Sequence, residues 1–188
     1  GESLRTENQS LMFRKDDPAF KALVDRVVTG MMKSELDIER GLWTIPGART
    51  KNGRTHVVPL SPLALTLIRE ASALAGDRDE VFPSPKDKTR SILPPALTRA
   101  FRRVCARYKI VGVRPHDLRR TGATNLTSER IGVSRFVVSK VLNHSSDAGD
   151  GAAVTAVYDR NAYLPEKRKA LDSWAVLLRQ IVSTTADS

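Results

Sequence analysis

From residue 11 to 33 the apolar side chains Phe20, Leu23, Val27 and Met31 recur at spacings of three and four, which predicts an amphipathic helix. The pattern then shortens. Residues 42–46 and 55–60 are β-prone runs joined through Lys51-Asn52-Gly53-Arg54, and an Asn-Gly step between such runs is a strong hairpin signal. Ser61-Pro62 follows as an N-cap and first helical residue, and Gly76 supplies the stop. Within that helix the stripe Leu63, Leu67, Ala71 and Leu74 is expected to face a core. Residues 84–93 read as an exposed basic loop. Further helices are predicted near 96–108, 116–128, 134–142 and 152–161. A last one spans about 165–182, with Leu171, Trp174, Leu178 and Ile181 on one stripe. The fold expected is mainly α (α+β): helices around one small antiparallel sheet, without internal repeats.

Composition narrows the class. The chain has 188 residues, 40% of them hydrophobic, enough for a core within one domain. No apolar run approaches the roughly 18 residues of a membrane span, and the N-terminus reads neither as a signal peptide nor as a natural start, having no Met. A single cysteine, Cys105, and three histidines argue against a disulfide framework or a metal centre. A soluble intracellular domain without metal or cofactor is expected.

Charge adds more. The formal net charge is +10, yet residues 1–40 hold seven basic and eight acidic side chains. The excess is concentrated between Lys86 and Arg120, where eleven basic residues face only Asp87 and Asp117. Such a field attracts phosphate polyanions, although a solubilising surface would look similar.

The candidate chemistry lies in the same half. In Arg114-Pro115-His116-Asp117-Leu118-Arg119-Arg120-Thr121, His116 and Arg119 stand three apart, which on a helix lets both reach one anion. His144 follows Val141-Leu142-Asn143 just past a helix end, where a lone histidine would ordinarily stabilise the helix dipole. Tyr158, in Val154-Thr155-Ala156-Val157-Tyr158-Asp159-Arg160, would in isolation be a core aromatic. Lys51 at the hairpin would be a solvated turn residue.

Taken in order, these segments resemble the catalytic domain of tyrosine recombinases, the phage integrase family, and especially integrases of prophages and genomic islands. The matching text is Leu42-Trp43-Thr44-Ile45-Pro46, Thr50-Lys51-Asn52-Gly53-Arg54, Val58-Pro59-Leu60-Ser61, His116-Asp117-Leu118-Arg119-Arg120-Thr121, Leu142-Asn143-His144 and Tyr158-Asp159-Arg160. The resemblance divides the chain into an N-terminal segment, 1–33, a catalytic domain, 34–182, and a polar tail, 183–188.

It implies a site-specific recombinase that cleaves and rejoins DNA through a 3′-phosphotyrosine, serving integration or excision of a mobile element. Tyr158 would be the nucleophile and Arg119 the phosphate clamp, with His144 donating to a non-bridging oxygen. Lys51 would protonate the leaving 5′-oxygen, and His116 would assist proton transfer or hold the phosphate. DNA contacts would come from Arg120, Arg54, Arg114, Lys86, Lys88 and Arg90. The implied partners are double-stranded attachment sites in the bacterial cytoplasm, bound by a homotetramer on synapsed DNA and a monomer in free solution. A non-catalytic DNA-binding remnant and a type IB topoisomerase-like enzyme are the rival readings.

One departure bears on activity. The family places a further catalytic arginine shortly after a Thr-Gly, whereas here Thr29-Gly30 runs into Met31-Met32-Lys33. Residues 1–33 are also too short to hold the family's N-terminal DNA-binding domains, so the catalytic domain alone is expected.

Overall fold

The computed structural model describes residues 28–87, 89–144 and 161–186. Their order is β1 (Leu36–Asp37), β2 (Leu42–Ile45), β3 (His56–Pro59), α1 (Pro62–Leu74), α2 (Pro94–Arg107), α3 (Pro115–Thr127), α4 (Arg135–Val141) and α5 (Leu164–Ala186). The expected α+β class is what is found: helices around a three-stranded antiparallel sheet of order β1-β2-β3. Leu42 lies opposite Pro59, Trp43 opposite Val58, Thr44 opposite Val57 and Ile45 opposite His56. The β2–β3 connection runs from Pro46 to Thr55, longer than a two-residue Asn-Gly turn, and opens with a 3-10 turn at Gly47–Arg49. The loop crosses itself so closely that a Cβ on Gly47 would lie 2.3 Å from the carbonyl oxygen of Gly53. Only glycine fits there.

Local signals account for most boundaries. Ser61 accepts a hydrogen bond from the Ala64 amide at 3.3 Å and Pro62 opens α1. Gly76, at φ +64°, lies just past its end in the left-handed region that glycine adopts without a Cβ penalty. Ser134 caps α4 through the Val137 amide.

Three expectations are corrected. The first helix does not continue to residue 33: Val28 and Thr29 are helical, Gly30 turns, and Met31 to Lys33 pair with residues 79–81. Val81 donates to the Met31 carbonyl and Lys33 to that of Asp79, which removes this backbone from any helix. In α1 the buried face is one position out of phase with the expected stripe. Ile68 is buried, with Ala64, Leu65 and Ala71 packed beside it, whereas Leu67 is 57% and Leu74 91% exposed. In α5 the fully buried positions are Lys167, Ala170 and Ala175, and Ile181 is exposed. The part of the predicted 152–161 helix up to Arg160 lies outside the described residues, and Asn161 is not helical.

Two apolar clusters result. Met31, Trp43, Ile45, Leu60, Ile68 and Val81 join the sheet to α1. Leu126, Val138 and Ala170, with Trp174 against them, join α3, α4 and α5. Helix α5 touches both halves, packing on β3 and α1 as well as on α3 and α4. Lys167 fixes that contact from within: it is 3% exposed, and its Nζ donates to the Val57 carbonyl of β3 at 2.5 Å. Among the described residues no helix is long and apolar enough to cross a membrane.

Candidate active site

Helix α3 begins with Pro115, whose missing amide costs nothing at this position. The Asp117 carboxylate accepts from the Arg114 amide at 2.8 Å and so closes the first turn. This start places His116 and Arg119 on successive turns of one helix. Arg119 is half-buried, and its Nη2 donates to the Leu142 carbonyl at 2.5 Å. Burial lowers its pKa to about 10, still charged at neutral pH. His116 is also held below the ordinary histidine value, by burial first and then by the Arg119 and Arg120 charges, with Asp117 opposing, which favours the neutral imidazole.

The end of α4 is where the elements meet. A helix of seven residues exposes its last carbonyls, and these need donors. His56 of β3 lies with Nε2 3.3 Å from the Val141 carbonyl, Arg119 of α3 takes the Leu142 carbonyl, and Asn52 of the hairpin donates to the Asn143 side chain at 3.2 Å. Asn143 is in the left-handed region, φ +53°, which reverses the chain and sets His144 beyond it. The His144 amide is tied to the Ser139 carbonyl at 3.0 Å.

The sequence-predicted residues therefore fall into groups. Arg119 and His144 meet around the α4 terminus, His116 lies a turn from Arg119, and Lys51 stands exposed beside Asn52, whose amide reaches the residue before His144. Arg54 and Arg114 are exposed, and Arg120 is half-buried with Nη1 3.7 Å from Asp117. Lys86 and Arg90 lie on the basic loop, where Arg90 pairs with Asp87 and its carbonyl accepts from Ser84 and Arg78. That loop is a built turn, closed by a bridge between Pro83 and Ser91. Tyr158 and Lys88 lie outside the described residues.

The stretch after Thr29-Gly30, where the further arginine is expected, is Met31-Met32-Lys33, in which Met31 is a core residue 6% exposed and Met32 and Lys33 are half-buried. The cation found at Gly30 comes from elsewhere: Arg49 donates to the Gly30 carbonyl and to the Glu35 carboxylate. Glu35 also accepts from the Trp43 indole at 3.3 Å and the Met32 amide at 3.4 Å. The sequence pattern did not point to this cluster, nor to His56, Asn52 and Asn143. Asn52 carried a turn signal, through Asn-Gly, and Asn143 a helix-end signal, but neither pointed to a contact between them.

Residues 28–162 match the family model described as the phage integrase family. The chain belongs to that family. Among its curated relatives, prophage integrase IntA of Escherichia coli K12 is 31% identical over 145 residues, covering 77% of this chain and 33% of IntA. The integrase of enterobacteria phage P4 is 27% identical over 153 residues, covering 75% and 34%. The chain thus spans about a third of the length of these relatives. Among solved structures, the integrase from mycobacterium phage Brujita aligns with a TM-score of 0.59 at 16% identity, covering 87% of this chain and 54% of that one. XerA recombinase aligns at 0.55 and 17% identity, covering 80% and 61%. Both alignments show a shared fold.

Proposed function

We propose that this chain is the catalytic domain of a site-specific integrase that cleaves and rejoins double-stranded DNA through a 3′-phosphotyrosine, in the service of a mobile element. The observation that carries this reading is the meeting of three elements at the α4 terminus, through Arg119 on the Leu142 carbonyl and Asn52 on Asn143. A phosphodiester there would meet the Arg119 guanidinium, charged at neutral pH, with a histidine and the Lys51 loop beside the same turn.

The step is a transesterification. The Tyr158 oxygen attacks phosphorus, the bond to the 5′-oxygen breaks, and the phosphotyrosine retains the energy for rejoining. The phenol loses a proton, for which neutral His116 is the acceptor. The departing 5′-oxygen gains one, for which Lys51 is the donor. Arg119 and His144 neutralise charge on the non-bridging oxygens. Arg54, Arg114, Arg120, Lys86, Lys88 and Arg90 would hold the backbone, with tetramers forming on synapsed sites in the bacterial cytoplasm and monomers in free solution.

A second reading, a DNA-binding remnant without strand cleavage, is favoured by one observation: the stretch Met31-Met32-Lys33 holds no arginine where the further one is expected, and Arg49 at Gly30 is already paired with Glu35. Incubation with nicked suicide DNA decides between them. A covalent adduct that survives denaturing electrophoresis, and is absent with Tyr158→Phe, supports the enzyme. Salt-sensitive DNA binding without any adduct supports the remnant.

A further inference from the structure

Lys51 is exposed on a loop of ten residues, Pro46 to Thr55, a poor platform for a proton donor that must meet a departing oxygen within hydrogen-bond reach. The loop is nevertheless stiffened around Asn52. The Asn52 Oδ1 accepts from the Arg54 amide at 3.1 Å, and the single Thr50 hydroxyl proton has three acceptors within reach, the Arg54 carbonyl at 2.8 Å, the Gly47 carbonyl at 2.9 Å and Asn52 Oδ1 at 3.2 Å. With its acceptor used inside the loop, the Asn52 amide nitrogen donates outward to Asn143 Oδ1, 91 residues away in sequence. Asn143 is the left-handed residue that turns the chain into His144.

We propose that Asn52 and Asn143 are positioning residues that join the Lys51 loop to the His144 turn, so that the proton donor and the phosphate-binding histidine keep one fixed relation. Neither amide touches DNA or the reacting atoms in this scheme. The pair acts through its neighbours, one residue away on each side. His56 and Arg119 hold the same turn through the Val141 and Leu142 carbonyls, so the turn is a rigid post and the loop is the part the bridge restrains. The inference rests on the reading of Lys51 and His144 as catalytic groups.

Asn143→Gly is the decisive variant. Glycine takes φ +53° without strain, so the turn survives and only the amide is lost. Asn52→Ala and the double variant complete a cycle. Two measurements separate the positioning role from the enzymatic reading. In hydrogen exchange of the free 188-residue chain, Asn143→Gly should speed exchange of the Gly53 and Arg54 amides by about tenfold while leaving α1 unchanged. Unchanged loop exchange overturns the bridge, whatever the activity. In single-turnover cleavage of suicide DNA, each single variant should slow adduct formation by about ten- to a hundredfold, a fraction of what general-acid catalysis supplies, with DNA affinity unchanged. The double variant should be no slower than the worse single one. DNA with a bridging sulfur in place of the 5′-oxygen leaves as a thiolate without protonation, and on it the variants should match the parent chain. Equal slowing on both substrates, or effects that multiply in the double variant, would overturn the assignment. If the parent chain forms no adduct on either substrate, it is the enzymatic reading that fails, and with it the positioning of a proton donor.

Discussion

Arg49 and Glu35 form a shielded ion pair across fourteen residues of sequence, with side chains only 18% and 15% exposed. The same guanidinium donates to the Gly30 carbonyl, and the same carboxylate receives the Trp43 indole. The pair therefore pins the root of the Lys51 loop to both β2 and the turn after Thr29. Removing one partner strands the other away from water, which in shielded sites costs several kcal/mol. Arg49→Met should lower stability by about 2–3 kcal/mol in urea denaturation, discounted for the remaining exposure. The Arg49→Met, Glu35→Leu double variant should recover part of that loss. A change below about 0.5 kcal/mol, the range of ordinary surface substitutions, would show the pair to be of no structural weight.

Acid should weaken the fold through His56. Its pKa is lowered to about 4, by burial first and then by the Lys167 charge, with Arg119 adding to the effect and the Val141 carbonyl opposing it. The unfolded chain takes up the proton near 6.5, before the folded one does, so the stabilisation is complete above pH 6.5 and is lost as pH falls towards 4. The shift corresponds to at most about 3 kcal/mol. Urea midpoints measured between about pH 7 and 4 should fall, and His56→Gln should flatten the profile. A ring titrating near 6.5 by NMR would contradict the assignment.

The two tyrosines near the C-terminal helix should behave differently. Tyr163 packs edge-on against Phe136 with ring centroids 5.0 Å apart, and the Lys140 ammonium lies 5.4 Å from its centroid. It sits at φ +49°, its amide held by Asn161 and its carbonyl accepting from Lys167, so its backbone starts α5. That is a packing role. Tyr163→Phe should leave adduct formation on suicide DNA within about twofold of the parent chain, whereas Tyr158→Phe should abolish the adduct and leave DNA affinity nearly unchanged. DNA mapped to Tyr163 in a trapped complex would reverse the assignment.

Binding to DNA should depend steeply on salt. Both acidic residues of the Lys86–Arg120 segment are committed, Asp87 to Arg90 and Asp117 to the Arg114 amide and Arg120. Arg99, Arg102, Arg103 and Arg107 remain exposed along α2. Each arginine that neutralises a phosphate should contribute about one to the steepness of the salt dependence. Arg102→Ala with Arg103→Ala should therefore flatten the slope by about two and weaken affinity for unrelated duplexes alike between roughly 50 and 200 mM salt. An unchanged slope would remove α2 from the interface.

The elements legible in the sequence are those fixed by contacts within a few residues. Ser61 and Pro62 start α1 because the cap reaches only three residues ahead, and Gly76 ends it for an equally local reason. The phase of α1 was not legible, because Leu63, Ala64, Leu65, Leu67 and Ile68 offer apolar side chains on adjoining faces and only the position of the sheet selects one of them. Residues 31–33 escaped for the opposite reason: their backbone partners lie at 79–81, and no pattern in Met31-Met32-Lys33 announces a pairing so distant. The site divides in the same way. His116 and Arg119 are readable from helical spacing, whereas the contacts that gather the elements, Asn52 to Asn143 and His56 to Val141, join stretches 91 and 85 residues apart. The family resemblance supplied the membership of the site; the folded chain supplies the post on which it is built.

Helix α4 also sets a boundary condition on the stretch that carries Tyr158. One anchor, His144, follows the C-terminal turn of α4, and the other, Tyr163, is clasped by Phe136 and Lys140 of the same helix. At about 1.5 Å per residue α4 is only about 10 Å long, while the sixteen residues 145–160 could reach roughly 50 Å if extended. Both flanks of the segment that carries Tyr158 are therefore set by one helix, so a substitution that shifts α4 displaces His144 and Tyr163 together.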